Sequence, residues 1–232
     1  MELTSLINKL KSKRELKDID EKFIEIRIND YLTRNKVDLG NEKSKSYRLM
    51  FKSLRKQLRE VYGVFRKVKE ERSLGFYKDI FDEFKPKSII DLGCGLESLR
   101  YATGYKLKYY CYDINKQEIN KINEFFKKNR INGKAFVFNL ADNNLDNLPK
   151  ADLCLILKLL ESLEAVKKGI SKNLLNKVKS KVIIVSFSKV ALGKKVKIRK
   201  SGRSWFRIVL RELGYDYKIS DSEDEIFFII RK

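Results

Sequence analysis

Two different spacings of apolar residues divide the chain. Between Tyr47 and Phe65 the side chains Tyr47, Met50, Phe51, Leu54, Leu58, Val61 and Phe65 recur at steps of about three or four, which predicts a helix with one buried stripe. The whole stretch before Gly75 reads as helical. From Phe76 onward, short apolar runs of strand length alternate with helix-compatible segments. Strands are predicted at Ser88–Leu92, Tyr109–Asp113, Ala135–Leu140, Asp152–Leu157 and Val182–Phe187, with helices such as Lys116–Asn129 between them. Strands that alternate with helices build a mostly parallel sheet. The end of the chain breaks the alternation, because only the polar turn SDSEDE separates Tyr215–Ser220 from Ile226–Arg231. So short a connection makes a hairpin, and the last strand must run antiparallel to its neighbour.

Length and charge refine this picture. A chain of 232 residues, 43% of them hydrophobic, holds one α/β domain with a real core plus an appendage. The predicted division is a basic helical domain over 1–75 and an α/β domain over 76–232, with the break near Gly75. The net charge of +21 calls for a polyanionic partner, since neutralising phosphates releases their counterions. In the helical part Arg48, Lys52, Arg55 and Arg59 form a row on a face away from the apolar stripe, and from Lys43 to Lys69 ten basic residues meet the single acid Glu60. That row reads as a set of cations for an RNA backbone, or more plainly as a solvated face.

Other classes lose ground. No apolar run approaches membrane-spanning length and the first residues are charged throughout, so a cytoplasmic protein that does not bind membrane is expected. Cys94, Cys111 and Cys154 fall in predicted strands or in a glycine turn without the short spacing of a metal site, which favours buried reduced thiols and no metal. The chain contains no histidine at all. Nucleophilic triads and the usual general base are therefore excluded.

The candidate chemistry centres on SIIDLGCGLESLRYA, Ser88 to Ala102, where a strand ends on Asp91 and a turn carries Gly93 and Gly95. A dinucleotide turn would place a third glycine where Ser98 stands. D-x-G-x-G with the acid at the strand end instead resembles the first motif of S-adenosylmethionine-dependent methyltransferases, whose usual sheet matches the one read from the spacing. Asp113, at the end of the second strand, can accept both hydroxyls of a ribose. Asp142, with Asn143 beside it, is the candidate for the adenine amino group.

Several stretches together resemble one family, the 16S ribosomal RNA guanine-N7 methyltransferases of the aminoglycoside-resistance type, from about Lys52 onward. LRKQLREVYGVF resembles the family's last N-terminal helix, and EERSLGFYKDIF its T-R-E-R segment, with Arg72 as the residue that meets the cofactor carboxylate. DLGCGLESL is similar to D-x-x-C-G-L-N-P-L, with Glu97 and Ser98 in place of Asn-Pro. ADLCLILKLLESLE, Ala151 to Glu164, looks like A-D-x-x-L-L-L-K-x-L-P-x-L-E, with Glu161 in place of proline. VIIVSFSKVALGKK resembles V-V-S-F-P-T-R-S-L-G-G, with Ser188 and Val190 for the proline and the arginine, and EIFFIIRK fits the final strand.

The resemblance implies a Rossmann-like class I methyltransferase fold: a mostly parallel seven-stranded sheet with the last strand antiparallel, plus the N-terminal helical domain. It implies S-adenosylmethionine as cofactor, held by Arg72, Asp91, Gly93, Gly95, Asp113, Asp142, Asn143, Ile156 and Leu157. Lys158 becomes the catalytic candidate at the mouth of the fourth strand, against the plainer reading of a lysine that caps a strand. Lys189, Lys194, Lys195 and Arg203, in a stretch of seven cations and no acid, join the helical row as RNA contacts. The implied partners are ribosomal RNA and the small ribosomal subunit. Trp205 is a candidate wall for a flipped base or, more simply, a packing residue. Three other readings stay open: a methyltransferase for transfer RNA or another base, an inactive cofactor-binding assembly factor, and a small-molecule enzyme.

Overall fold

The computed structural model describes residues 2–17, 19–59, 72–141, 145–189 and 203–232. The chain forms two compact units, Met1–Lys69 and Glu70–Lys232.

In the first unit, α1 (Glu2–Lys11), α2 (Glu21–Leu32) and α3 (Lys45–Leu58) pack around Leu6, Leu10, Ile24, Ile28, Met50 and Leu54. Two of these helices begin on side-chain caps: Asp20 accepts the Phe23 amide at 3.1 Å and Ser44 that of Tyr47 at 3.1 Å. Each cap satisfies a donor that the first helical turn leaves without a backbone partner. The stripe predicted on α3 is buried at Tyr47, Met50, Leu54 and Leu58, and Phe51 is half-buried. Val61 and Phe65, which continue it, lie outside the described residues.

The second unit opens with α4 (Leu74–Phe84), capped by Ser73, which accepts the Phe76 amide at 3.3 Å. Gly75 sits in the first turn of α4, a few residues inside the second unit. The apolar face of α4, with Tyr77, Ile80 and Phe81 buried, continues past the glycine and ties it to the second unit.

The sheet contains β1 (Ser88–Leu92), β2 (Lys108–Asp113), β3 (Gly133–Val137), β4 (Ala151–Leu157), β5 (Ser180–Ser188), β6 (Asp216–Asp221) and β7 (Glu225–Arg231). Their order is β3-β2-β1-β4-β5-β7-β6; the first five pair in parallel, and β7 runs antiparallel to both β5 and β6. This is the seven-stranded arrangement expected from the spacing. The third strand starts two residues earlier than expected and stops at Val137, because its ladder with β2 runs from Tyr109 opposite Gly133 to Asp113 opposite Val137. Gly133 is required there, since a Cβ would stand 2.6 Å from the Phe126 ring.

Both faces are covered, as a parallel sheet requires. On one face α4, the short α5 (Ser98–Tyr101) and α6 (Lys116–Lys128) bury Tyr77, Tyr101, Ile122 and Phe126 against Ile89, Tyr109 and Cys111. On the other, α7 (Leu160–Val166), α8 (Ile170–Lys177) and α9 (Ser204–Leu213) bury Leu160, Leu174, Phe206 and Leu210 against Ile90, Cys154, Ile183 and Phe228. The three cysteines are free and buried, and burial pushes the thiols of Cys94 and Cys154 up. No described helix is long and apolar enough to cross a membrane.

Strand order reverses between β1 and β4: from β1 the chain moves to one side through β2 and β3, then crosses to the other. The carboxyl ends of the strands at such a switch point leave a crevice. The sequence candidates from the glycine turn, the end of β2 and the end of β4 converge on this edge.

Candidate active site

The turn after β1 reverses the chain at Gly93, with φ of 74°, and Gly95, with φ of 49°. Left-handed backbone favours glycine, and at Gly93 a Cβ would also approach a Leu159 methyl to 2.9 Å. The amides of Gly93 and Cys94 both donate to the Tyr112 carbonyl, at 2.8 and 3.2 Å, which fastens the turn to β2. The next residue, Asp113, completes the attachment. Its Oδ2 accepts the Gly95 amide at 3.1 Å and its Oδ1 the Asn115 amide at 2.8 Å. Asn115 in turn caps α6 by accepting the amides of Gln117 and Glu118. One carboxylate thus fixes two turns on neighbouring strands, and its side chain is only partly buried.

Asp91, the acid at the end of β1, points elsewhere. It is 3% exposed and accepts a hydrogen bond from the Tyr101 hydroxyl at 2.6 Å. Burial pushes its carboxyl up to about 7, and the Tyr101 bond and the Arg72 charge only partly oppose that. Asp91 braces the turn from beneath and is not itself presented at the edge. Ile156 is fully buried under α7 and Leu157 is half-buried, so of this pair Leu157 is the one near the surface of the strand end.

The second part of the site is an ion cluster that the sequence did not disclose. The Arg72 Nε lies 2.9 Å from Glu225 Oε1 and its Nη2 donates to Oε2 at 3.2 Å, while Lys158 Nζ lies 3.1 Å from the same Oε1. Glu225 opens β7 and is 4% exposed. Because β7 is antiparallel, its first residue falls on the same edge where β4 and β5 end, opposite Ser188. Lys158 is held in left-handed backbone, φ of 54°, by its amide, which donates to the carbonyl and the hydroxyl of Ser186 at 3.0 and 3.1 Å. A lysine in that conformation stores on the order of 1 kcal/mol of strain, which the ladder must offset. Burial works to lower the Arg72 pKa, but Glu225 and the Tyr77 hydroxyl more than compensate and raise it.

Arg72 is also stapled to the glycine turn. Arg100 donates to the Arg72 carbonyl at 2.8 Å and lies 3.6 Å from Glu97, and Tyr77 donates to Glu97 at 3.0 Å. The signal for Glu225 was an acid opening an otherwise apolar strand, EIFFIIRK, where a bare edge position would have served.

The remaining candidates separate. On α3, Arg48 and Lys52 are exposed, but Arg55 donates to the Lys9 carbonyl at 2.8 Å and to Ser12 at 2.9 Å and lies over the Phe51 ring, and Arg59 pairs with Glu15 at 3.1 Å. The row is therefore not a uniform set of outward cations. Arg203 is 4% exposed, bonds Glu161 at 3.2 Å and the Ser188 carbonyl at 2.9 Å, and lies over Phe187. Glu161, the residue in place of proline, supplies its counter-charge. Lys189 is tied to Asp221 and the Ser222 carbonyl. Trp205 packs edge-on against Phe187 and Phe206. Asp142, Asn143, Lys194 and Lys195 lie outside the described residues. Among the described residues no cluster could hold a metal ion.

The residues present fit an adenosyl amino acid. Among the described residues a Cβ at Gly95 would meet nothing nearer than Glu118 at 3.9 Å, so a ligand can lie against the backbone. Asp113 brings a carboxylate to the same edge, beside the Gly95 and Asn115 amides that it accepts, and a carboxylate is the acceptor that ribose hydroxyls require. Arg72 brings a guanidinium to the same edge.

The chain is 24% identical over 162 residues to a 16S rRNA (guanine(1405)-N(7))-methyltransferase of Frankia casuarinae, and 25% identical over 162 residues to one of Micromonospora echinospora. These alignments span 68% of this chain and 57% and 58% of the relatives, so the chain spans little more than half their length. Among solved structures it resembles the 16S rRNA methyltransferase RmtF in complex with S-adenosyl-L-homocysteine, with a TM-score of 0.76 and 18% identity over 100% of this chain and 98% of that one. It also resembles the 16S rRNA methylase RmtB, with a TM-score of 0.71 and 16% identity over 99% and 98%. The fold is accordingly a Rossmann-like class I methyltransferase fold. The profile of the ribosomal RNA methyltransferase (FmrO) family matches residues 55–204, well over half of the sequence, and the chain belongs to that family.

Proposed function

We propose that this protein is an S-adenosylmethionine-dependent methyltransferase that modifies 16S ribosomal RNA within the small ribosomal subunit, at the N7 atom of a guanine. The observation that carries the reading is the convergence of Gly93, Gly95, Asp113, Arg72 and Lys158 on the carboxyl edge at the β1–β4 switch point. Family membership and the relatives' names support the substrate. A ribosomal substrate places the reaction in the cytoplasm.

In this reading Asp113 accepts the ribose hydroxyls, the glycine turn lets the backbone lie against the nucleoside, and Arg72 takes the carboxylate of the amino acid tail. When bound, S-adenosylmethionine supplies a methyl group on a positively charged sulfur. Guanine N7 offers a lone pair and carries no proton, so no general base is needed. A chain without histidine suits that chemistry. What the protein contributes is alignment, which can supply about 7 to 11 kcal/mol in the best cases. Lys158, at the mouth of β4, meets the acceptor base and fixes its approach, with Glu225 holding the ammonium in place.

The exposed Arg48 and Lys52 on α3, with Lys45 and Lys56 on the same side of the helix, offer four cations for phosphate contacts. Such contacts position a protein on RNA without reading its sequence.

The test is transfer of labelled methyl from S-adenosylmethionine to intact small subunits, to naked 16S RNA and to transfer RNA. Label in the intact subunit supports the proposal. Label in transfer RNA alone replaces it with the transfer RNA reading, and binding of the cofactor without transfer to any RNA replaces it with an assembly factor.

A further inference from the structure

Glu97 stands two residues beyond Gly95, on the turn that Asp113 fastens to β2. Its carboxylate is largely covered, with the side chain 17% exposed. The Tyr77 hydroxyl donates to Glu97 Oε2 at 3.0 Å and lies close enough to the Arg72 side chain to raise its pKa. Arg100 bridges the same two residues a second time, through the Arg72 carbonyl at 2.8 Å and Glu97 Oε1 at 3.6 Å. A guanidinium and a carboxylate are thus held one hydroxyl apart, on two segments cross-linked twice.

Packing alone does not call for a charge here. Tyr77 needs an acceptor, and a neutral amide oxygen supplies one equally well. Partial burial of a carboxylate is costly unless it meets cations, and Arg100 lies 3.6 Å away with a third of its side chain exposed. In the neighbouring cluster Arg72 and Lys158 both pair with Glu225. An α-amino acid presents a carboxylate and an ammonium on one carbon, so it matches a fixed cation and a fixed anion side by side.

We infer that Arg72 and Glu97 together form a clamp for the zwitterionic end of the cofactor, in which Arg72 takes the carboxylate and Glu97 accepts hydrogen bonds from the α-ammonium. The inference rests on the cofactor reading above and adds a residue that discriminates among adenosyl ligands. Tyr77 acts as the spacer that keeps the two charges from collapsing onto each other. The clamp rejects adenosyl thioethers that lack the ammonium, because Glu97 is then left without its partner.

Calorimetric titration of the whole protein with S-adenosylhomocysteine, and with its desamino analogue in which hydrogen replaces the ammonium, tests this directly. Wild type binds the parent at least about tenfold more tightly than the analogue, as a charge-assisted hydrogen bond implies. Glu97→Gln, which keeps an acceptor for Tyr77, loses about tenfold or more for the parent and changes less than about twofold for the analogue, so that the preference disappears. Glu97→Asn gives the same pattern if the charge is what matters. Equal losses for both ligands, or none for either, overturn the clamp and leave Glu97 as a brace for Arg72. If wild type binds neither ligand, the cofactor reading itself fails. Thermal melting of each variant separates loss of the fold from loss of the contact.

Discussion

Asp113 carries more of the site than any other single residue, because the same carboxylate that would receive the ribose also holds the amides of Gly95 and Asn115. Asp113→Ala removes charged hydrogen bonds of about 1.5 to 3 kcal/mol, so affinity for S-adenosylhomocysteine falls by about 10- to 150-fold in calorimetry. RNA binding by the same variant stays at the wild-type level in a filter-binding assay. Asp91 shows how different the neighbouring acid is. Its native carboxyl keeps its proton up to about pH 7, whereas in the unfolded chain it loses the proton near the ordinary value of 3.8. Between those limits the native state holds more protons than the unfolded state, so this group's contribution to stability falls as pH rises from about 4 to about 7. The difference amounts to a few kcal/mol, on the order of 4 for three pH units. Asp91→Asn, which preserves an acceptor for Tyr101, should flatten that part of the curve and be relatively more stable at pH 8 than at pH 5, as read by denaturant melts at both values.

The antiparallel β7 is the element that completes the site, because it alone delivers an acid from the far end of the chain to the edge where β1 and β4 finish. Glu225 there pairs with two cations, and Glu225→Gln removes the charged partner that Arg72 and Lys158 share in a buried setting. Breaking such a cluster costs about 3 to 5 kcal/mol. A melting temperature lower by on the order of 10 °C is expected by calorimetry for a unit of this size. The central strands β1 and β4 were legible from the sequence, since each is an apolar run buried along nearly its whole length, whereas the edge strand β3 is only partly buried and its bounds were read less well. The hairpin was legible from the shortness of SDSEDE. Glu225 was not, because nothing local to an acid at a strand start reveals which distant arginine and lysine it will meet. The surroundings of Arg203 were hidden for the same reason: a cationic stretch looks outward until its partner, here Glu161 on α7, is known. The periodicity that located α3 correctly also could not say which of its basic residues turn back toward α1.

At the scale of the molecule the chain holds a basic helical unit and a unit built on the seven-stranded sheet whose carboxyl edge carries the candidate site. On α3 the exposed Arg48 and Lys52 are the cations to reverse, whereas reversing Arg55 disturbs contacts to Lys9 and Ser12 within the unit. The Arg48→Glu, Lys52→Glu double variant should melt like wild type yet bind small subunits more weakly, with a salt dependence whose logarithmic slope is shallower by about one to two units. An unchanged slope would reduce that face to ordinary solvated surface. The central claim, methyl transfer to a ring nitrogen of ribosomal RNA at the carboxyl edge of this sheet, is most directly tested by digesting small subunits treated with the protein and S-adenosylmethionine and identifying the modified nucleoside by mass spectrometry. The account predicts 7-methylguanosine in the 16S RNA, absent when Asp113→Ala replaces the wild type under limiting cofactor. A methyl group on a ribose or an exocyclic amine, or no new modification in the subunit, would contradict it.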